Sequence, residues 1–431
     1  MTPAPVDQDA HEIVRLAARG DGVTADGRFV TLAAPGDLVR FRGEIASLEP
    51  GPNRVTAPCR HFPECGGCRM QHVSDPAYVR WMGERIGHAL AQAGVAIGEL
   101  MPAHLSPPRS RRRAALRAVR HGRAVTLGFH IEGTHRVLDL HECWVLRPEI
   151  FALLAPLRPL LAGLLRDGEG GGVSATLTDT GVDLMLSNVA AEGATALGAL
   201  AAFAAAHDLA RLSVETAGGV ETVAQARAPA VRMGATWVEV PPAPFLQATR
   251  EGEAALVAAV LAASGGGEMA GAGVAGSSVA GLRVADLFCG LGTFALPLAA
   301  AGARVTAVDA SGPAVSALGR AAAMGLGAGH ALATQHRDLF RRPLTAAELA
   351  GLDAVVFDPP RAGARAQVAE IARSGVARVV AVSCNPATFA ATRPIWWQAA
   401  TGSSGYGRWG NSAGAVMWNW WRCSGGEISL A

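Results

Sequence analysis

The apolar positions of this chain change their spacing from one region to the next. Between about residues 11 and 50 they form short alternating runs broken by Gly and Asp. The runs are His11-Glu12-Ile13-Val14-Arg15-Leu16, Asp21-Gly22-Val23, Asp26-Gly27-Arg28-Phe29-Val30 and Asp37-Leu38-Val39-Arg40-Phe41-Arg42. Alternation over so few residues predicts brief strands, and their close succession suggests a small β-barrel. From about 75 to 245 helical and extended patterns mix. The spacing predicts helices over 75–93 and 153–165, strands over 125–129 and 137–140, and a half-buried strand over 175–186. The run 262–281 is mostly Gly, Ala and Ser and reads as a linker. Beyond it, short apolar runs end near residues 287, 308, 357 and 382, with helical stretches between them. That alternation predicts βαβ units and a buried parallel sheet.

The candidate chemistry sits at the ends of these runs. The first leads into Asp286-Leu287-Phe288-Cys289-Gly290-Leu291-Gly292-Thr293, a strand entering a Gly-x-Gly turn. The second ends at Asp309, nineteen residues after Gly290, where a carboxylate can accept from a ribose diol. Without a third glycine, the turn favours S-adenosylmethionine over a dinucleotide. The third ends in Asp358-Pro359-Pro360-Arg361-Ala362-Gly363, and the fourth in Val382-Ser383-Cys384-Asn385-Pro386. Asp286, Asp309, Asp358 and Cys384 are therefore expected at one edge of one sheet, where ligands of open α/β sheets collect. A thiol there is the most nucleophilic group on offer, and Cys384 reads as a catalytic nucleophile.

Composition narrows the class. At 431 residues the chain suggests two to three domains, and half of it is apolar. No run of about eighteen uninterrupted apolar residues appears, and the first twenty residues include acids, so a soluble cytoplasmic protein without a membrane partner is expected. Net charge is only +2, so any basic function must be local. All basic charge is arginine, and seven arginines fall between Arg109 and Arg123. They are equally compatible with a phosphate-contacting surface or a solvated charged strand.

Seven cysteines, an odd number, argue against a disulfide framework. Cys59, Cys65 and Cys68 cluster, and Cys143 comes 74 intervening residues after Cys68. Four thiolates suit zinc or an iron–sulfur cluster; three close ligands and one distant favour [4Fe–4S].

Four stretches together carry a resemblance. Cys59-x5-Cys65-Gly66-Gly67-Cys68-x2-Gln71-His72, the Asp286–Gly292 turn, Asp358-Pro359-Pro360-Arg361-Ala362-Gly363 and Ser383-Cys384-Asn385-Pro386 make the chain resemble the bacterial RNA (uracil-5-)-methyltransferases. It is most similar to the iron–sulfur members acting on 23S rRNA, over roughly residues 11–392. The resemblance implies a TRAM-like RNA-binding barrel (1–56), a central α+β domain with the four-cysteine site (57–245) and a Rossmann-like methyltransferase domain (246–395). It implies a monomer, and it carries Gln247, Phe288, Gly290, Gly292, Thr293, Asp309 and Asp338 to the cofactor pocket. Asp358 is similar to a family residue near both cofactor and uracil. The implied reaction is methylation of uridine C5 after Cys384 adds to C6. A uridine of the transfer RNA T-loop, or RNA binding with impaired catalysis, are the competing readings.

One stretch departs from the family. Residues 396–431 hold six of the nine tryptophans, little charge and no strand alternation. The family's proton-accepting glutamate segment is absent, and Glu427 is the only carboxylate side chain after Cys384. The tail reads as an unusual hydrophobic terminus or, as we favour, a shifted reading frame near residue 394.

Overall fold

The computed structural model describes residues 10–42, 45–92, 102–265, 269–270, 273–274, 278–327, 331–385, 388 and 416–418. Its N-terminal strands are β1 (Ala10–Leu16), β2 (Gly22–Thr24), β3 (Phe29–Val30), β4 (Leu38–Arg42) and β5 (Ile45–Glu49), in the spatial order β3-β2-β1-β4-β5. β1 serves two partners: Ala10 to Glu12 pair with β4, and Ile13 to Leu16 pair with β2 across a register shift. Such an irregularity sharpens local twist. The result is a curled antiparallel half-barrel over Ile13, Val30, Ala33 and Val39, with β3 and β5 as its edges.

Helix α1 (Asp75–Gln92) then leads to a second sheet. Its strands are β6 (Arg113–His121), β7 (Ala124–Gly128), β8 (Gly170–Thr178), β9 (Gly181–Ser187), β10 (Arg211–Thr216) and β11 (Gly219–Gln225), in the order β11-β10-β9-β8-β6-β7. Helices α2 (Pro148–Phe151), α3 (Leu154–Leu164) and α4 (Ala194–Ala206) close its core around Leu116, Leu127, Leu161, Leu184 and Leu212. Two expectations change here. The alternation over 175–186 is a hairpin, β8 and β9, because Asp179-Thr180 turns the chain and Gly181 takes φ 127°. Residues 137–140 make no strand: Leu138 and Leu140 donate to the Phe129 and Leu127 carbonyls at 2.8 and 2.9 Å as a single laced segment.

A hairpin, β12 (Ala230–Met233) and β13 (Thr236–Glu239), precedes α5 (Arg250–Gly265). The Gly-rich stretch therefore begins inside a helix, and it also holds β14 (Met269–Ala270) paired with β15 (Gly273–Val274).

The last unit is the predicted parallel sheet. β16 (Arg283–Leu287), α6 (Ala295–Ala300), β17 (Arg304–Asp309), α7 (Gly312–Gly325), β18 (Ala331–His336), α8 (Ala346–Leu349), β19 (Ala354–Phe357), α9 (Arg365–Ser374), β20 (Arg378–Ser383) and β21 (Val416–Trp418) alternate. The order is β18-β17-β16-β19-β20-β21, with every neighbouring pair parallel. Strand order reverses between β16 and β19, which opens a crevice above their C-terminal ends. β21 lies in the tail that shows no strand alternation, yet it pairs with Ala381 to Ser383 of β20. The rest of the tail, Glu427 included, lies outside the described residues. Among those described, no helix is long and apolar enough to cross a membrane.

Candidate active site

Register fixes which side chains meet. Leu287 stands opposite Val308 on one side and Phe357 on the other, and Phe357 stands opposite Ala381. The residues just beyond, Phe288, Asp309, Asp358 and Cys384, therefore share one lip. Asp286 belongs to the same strands but does not reach the surface: it is fully buried, and the Ala295 backbone amide approaches its carboxylate. Burial, and then the nearby Asp358 charge, raise its acid far above the usual carboxylate range. It lies beneath the lip rather than projecting from it.

Around β16 and β17 the turn is shaped for a ligand. Asp309 accepts from the Gly290 amide at 3.0 Å and from Ser311 at 2.7 Å, which aims the carboxylate across the turn. A carboxylate accepts at about four positions, so capacity remains for a diol. Gly290 has φ 52°, and a Cβ there would meet nothing within 4 Å, so the turn faces open space. Gly292 has φ 92°, and its missing Cβ makes room for Leu318 packed directly beneath. Thr293 comes next, half-buried, two residues before α6. Phe288, held in a left-handed conformation at φ 63°, tilts its ring against Phe340 at 5.5 Å. Asp338 caps its own turn, accepting from Phe340 at 2.9 Å. Phe340 is half exposed and was not singled out by sequence; its only signal is its place two residues after Asp338. The open turn, aromatic wall and aimed carboxylate fit a nucleoside bearing a charged sulfonium.

On the other side of the switch point lie the reactive groups. Gln247, from the segment before α5, donates through Nε2 to Asp358 Oδ2 at 3.4 Å. Burial pushes the Asp358 carboxyl up to about 6, with Gln247 opposing. Cys384 is exposed on the lip. Partial desolvation and the Asp358 charge raise its thiol, while Arg361 lowers it. The Cys384 and Asp358 loops are clamped together. Asn385 Nδ2 donates to Thr388 Oγ1 at 2.6 Å, and Thr388 Oγ1 donates to the Arg361 carbonyl at 3.3 Å. Gly363, at φ 77°, is required there because a Cβ would sit 2.5 Å from Thr388 Cγ2. Thr388 and the electrostatic part of Arg361 carried no sequence signal beyond adjacency to the motifs.

The four cysteines of the central unit form a separate neighbourhood. Cys59, Cys65 and Cys68 are buried and Cys143 is half-buried. Cys59 and Cys65 each feel the charge of Cys68, and Cys143 feels those of Cys68 and Cys65. Burial pushes Cys65 and Cys143 up to about 11, as expected of neutral thiols. Leu146 donates its amide to Cys143 Sγ at 3.4 Å, and a Cβ on Gly67 would lie 3.4 Å from Cys65 Sγ and 3.3 Å from Phe129. Soft donors and an amide aimed at sulfur fit a thiolate-held group in kind. The expectation of a ready four-ligand set is not met: among the described residues, no three His, Cys, Asp or Glu side chains stand in a metal-holding arrangement. Neutral thiols gain nothing by converging, whereas thiolates around a metal do.

The arginine run does not form one surface either. β6 buries every second residue, Ala114, Leu116 and Ala118, and Arg112 just before it is buried and paired with Glu253 at 2.5 Å.

Comparison with known proteins agrees with this geometry. Residues 277–393 match the tRNA (Uracil-5-)-methyltransferase family model. The chain is 42% identical over 379 residues to an uncharacterized RNA methyltransferase of Zymomonas mobilis, covering 88% of this chain and 90% of that protein. It is 33% identical over 414 residues to the 23S rRNA (uracil(1939)-C(5))-methyltransferase RlmD of Bordetella parapertussis, covering 88% and 84%. Its fold is similar to the crystal structure of Pyrococcus abyssi tRNA (uracil-54, C5)-methyltransferase in complex with S-adenosyl-L-homocysteine, with TM-score 0.64, 20% identity and coverage of 90% and 93%. The chain belongs to the family of S-adenosylmethionine-dependent RNA (uracil-C5) methyltransferases.

Proposed function

We propose that the protein methylates C5 of a uridine in RNA, 23S rRNA foremost, with Cys384 as nucleophile. The observation that carries this reading is the shared lip, where an exposed thiol stands beside Asp358 and across the switch point from the Asp309–Gly290 turn. S-adenosylmethionine supplies an electrophilic methyl group, and Gln247, Phe288, Gly290, Gly292, Thr293, Asp309, Asp338 and Asp358 line its place.

C5 of uracil is a poor nucleophile until C6 is substituted. The Cys384 thiol gives its proton to solvent water as its sulfur bonds to C6 and the C5–C6 π bond opens, with the Asp358 charge reaching that sulfur. The electron pair then sits on C5, which takes the methyl group as S-adenosylhomocysteine departs. Loss of the C5 proton to a base and elimination of the Cys384 thiolate restore the ring. The target uracil must leave its stack to reach the lip, so a single-stranded or flipped uridine is the substrate. Cys59, Cys65, Cys68 and Cys143 would hold a [4Fe–4S] cluster, whose thiolate bonds would staple the loop before α1 to the segment before α2.

The unit boundaries at 56, 245 and 395, a TRAM-like role for the half-barrel and a monomeric state belong to the same proposal. So does a shifted frame after residue 394: the family match ends at residue 393, where the composition changes. A chain lacking a carboxylate base there would retain RNA on Cys384 and release product slowly. Methyl transfer from labelled S-adenosylmethionine to separated RNA species tests the whole reading. Label in 23S rRNA supports it, label in transfer RNA moves the substrate to the T-loop, and RNA bound without label leaves a binding protein.

A further inference from the structure

Beside the four cysteines stands a buried amide that no step of the reaction uses. Gln71 comes three residues after Cys68 and is 3% exposed. Met70 and His72 on either side are buried as well. The Val55 amide donates to the His72 carbonyl at 2.9 Å, so the backbone holds this segment inward. Gln71 Oε1 accepts from the Cys59 amide at 3.3 Å. That amide can only donate, which fixes the oxygen and nitrogen ends of the side chain. Nε2 therefore lies one amide width from the Cys59 backbone. It is buried, and no acceptor among the described residues reaches it.

A buried donor without an acceptor is costly, and folded chains rarely keep one. The nearby carboxylates are already engaged: Glu132 accepts from Arg69, and Glu142 accepts from Trp144 and pairs with Arg60. What remains is sulfur, and other donors face it too. The His61 and Phe62 amides face Cys59 Sγ, the Gly67 amide Cys65 Sγ, and the Val145 and Leu146 amides Cys143 Sγ. Neutral thiols are weak acceptors, whereas anionic sulfur draws short, strong hydrogen bonds. Five backbone amides and one side-chain amide collected on three cysteines therefore suit a site built around negative sulfur.

We infer that Gln71 is a positioning residue of the cysteine site, with Oε1 fixing the Cys59 backbone and Nε2 donating to a thiolate or sulfide sulfur. The inference rests on the four cysteines holding an iron–sulfur cluster. Hydrogen bonds to sulfur favour the more negative, reduced state and so raise the potential. Iron content, visible absorption and reductive titration of anaerobically purified wild type, Gln71→Met and Gln71→Glu at alkaline pH test it. Gln71→Met keeps the volume and loses the donor. It should retain the cluster's absorption, with the reduced-to-oxidised ratio at a fixed potential about tenfold lower, a shift of about 59 mV for one electron. Gln71→Glu keeps an oxygen for the Cys59 amide but turns a carboxylate towards sulfur, so it should hold less iron than Gln71→Met. If Gln71 only capped that amide, the order would reverse, with Gln71→Glu keeping iron and Gln71→Met losing it. That reversal overturns the inference. A second measurement needs no variant: isotopic labelling of the glutamine side-chain nitrogens should reveal a nitrogen coupled to the reduced wild-type cluster, and its absence overturns the inference. Wild type without iron overturns the cluster reading and the inference with it. Four irons with a wild-type potential in Gln71→Met overturn the inference alone.

Discussion

Asp358 costs stability where it stands. Its carboxyl rises from the usual 3.8 to about 6 because burial disfavours the charged form. A raised folded-state value means the folded chain holds the proton more tightly than the unfolded one. The associated stability is complete below about pH 4 and is lost as pH climbs through 6. At 1.36 kcal/mol per unit the loss reaches up to about 3 kcal/mol. Asp358→Asn should therefore melt higher than wild type at pH 7.5, with the gap closing by pH 4, while methyl transfer falls. Equal melting temperatures at pH 7.5 would contradict the burial argument. Asp286 pulls the same way, since burial, and then the Asp358 charge, raise its acid as well.

Turns decide the geometry of the site at the scale of elements. Gly292 takes φ 92° over Leu318, so Gly292→Ala forces both an unfavourable backbone and a collision. It should destabilise by about 1–3 kcal/mol and weaken S-adenosylhomocysteine binding, measured by calorimetry. Wild-type binding by a folded Gly292→Ala protein would mean the turn does not shape the pocket. This turn was readable in the sequence because strand, glycine spacing and Asp309 are local features of one βαβ unit. The Asp358 and Cys384 strand ends were readable for the same reason. The antiparallel parts were read less well. β8 and β9 look like one alternating strand because period-two spacing continues across the Asp179-Thr180 turn. β6 was hidden by its arginines, although Ala114, Leu116 and Ala118 alternate inward. The burial of Asp286 was also invisible, since a motif gives an acid's position along a strand but not its depth.

Over the whole molecule, chemistry at one sheet depends on segments far away in sequence. Arg112 binds Glu253 and the Gln247 carbonyl, and Gln247 reaches Asp358, so the central unit is wired to the reaction lip. Breaking a buried pair leaves an unmatched charge. Glu253→Gln should destabilise by several kcal/mol and raise KM for RNA, whereas an effect on neither would sever that link. The cysteine site is separable from this wiring. Anaerobically purified protein should carry about four irons with visible absorption. Cys143→Ser should lose the iron but keep S-adenosylhomocysteine binding, and zinc in place of iron would refute the cluster. The central claim is that Cys384 bonds to uracil C6 while C5 accepts the methyl group. A 5-fluorouridine RNA tests it most directly, because fluorine cannot leave as the C5 proton does. With S-adenosylmethionine, a denaturation-resistant adduct should form, and its peptide should map to Cys384. Cys384→Ser should form none and should not methylate ordinary RNA. Undiminished methylation by Cys384→Ser, or an adduct at another residue, would contradict the account.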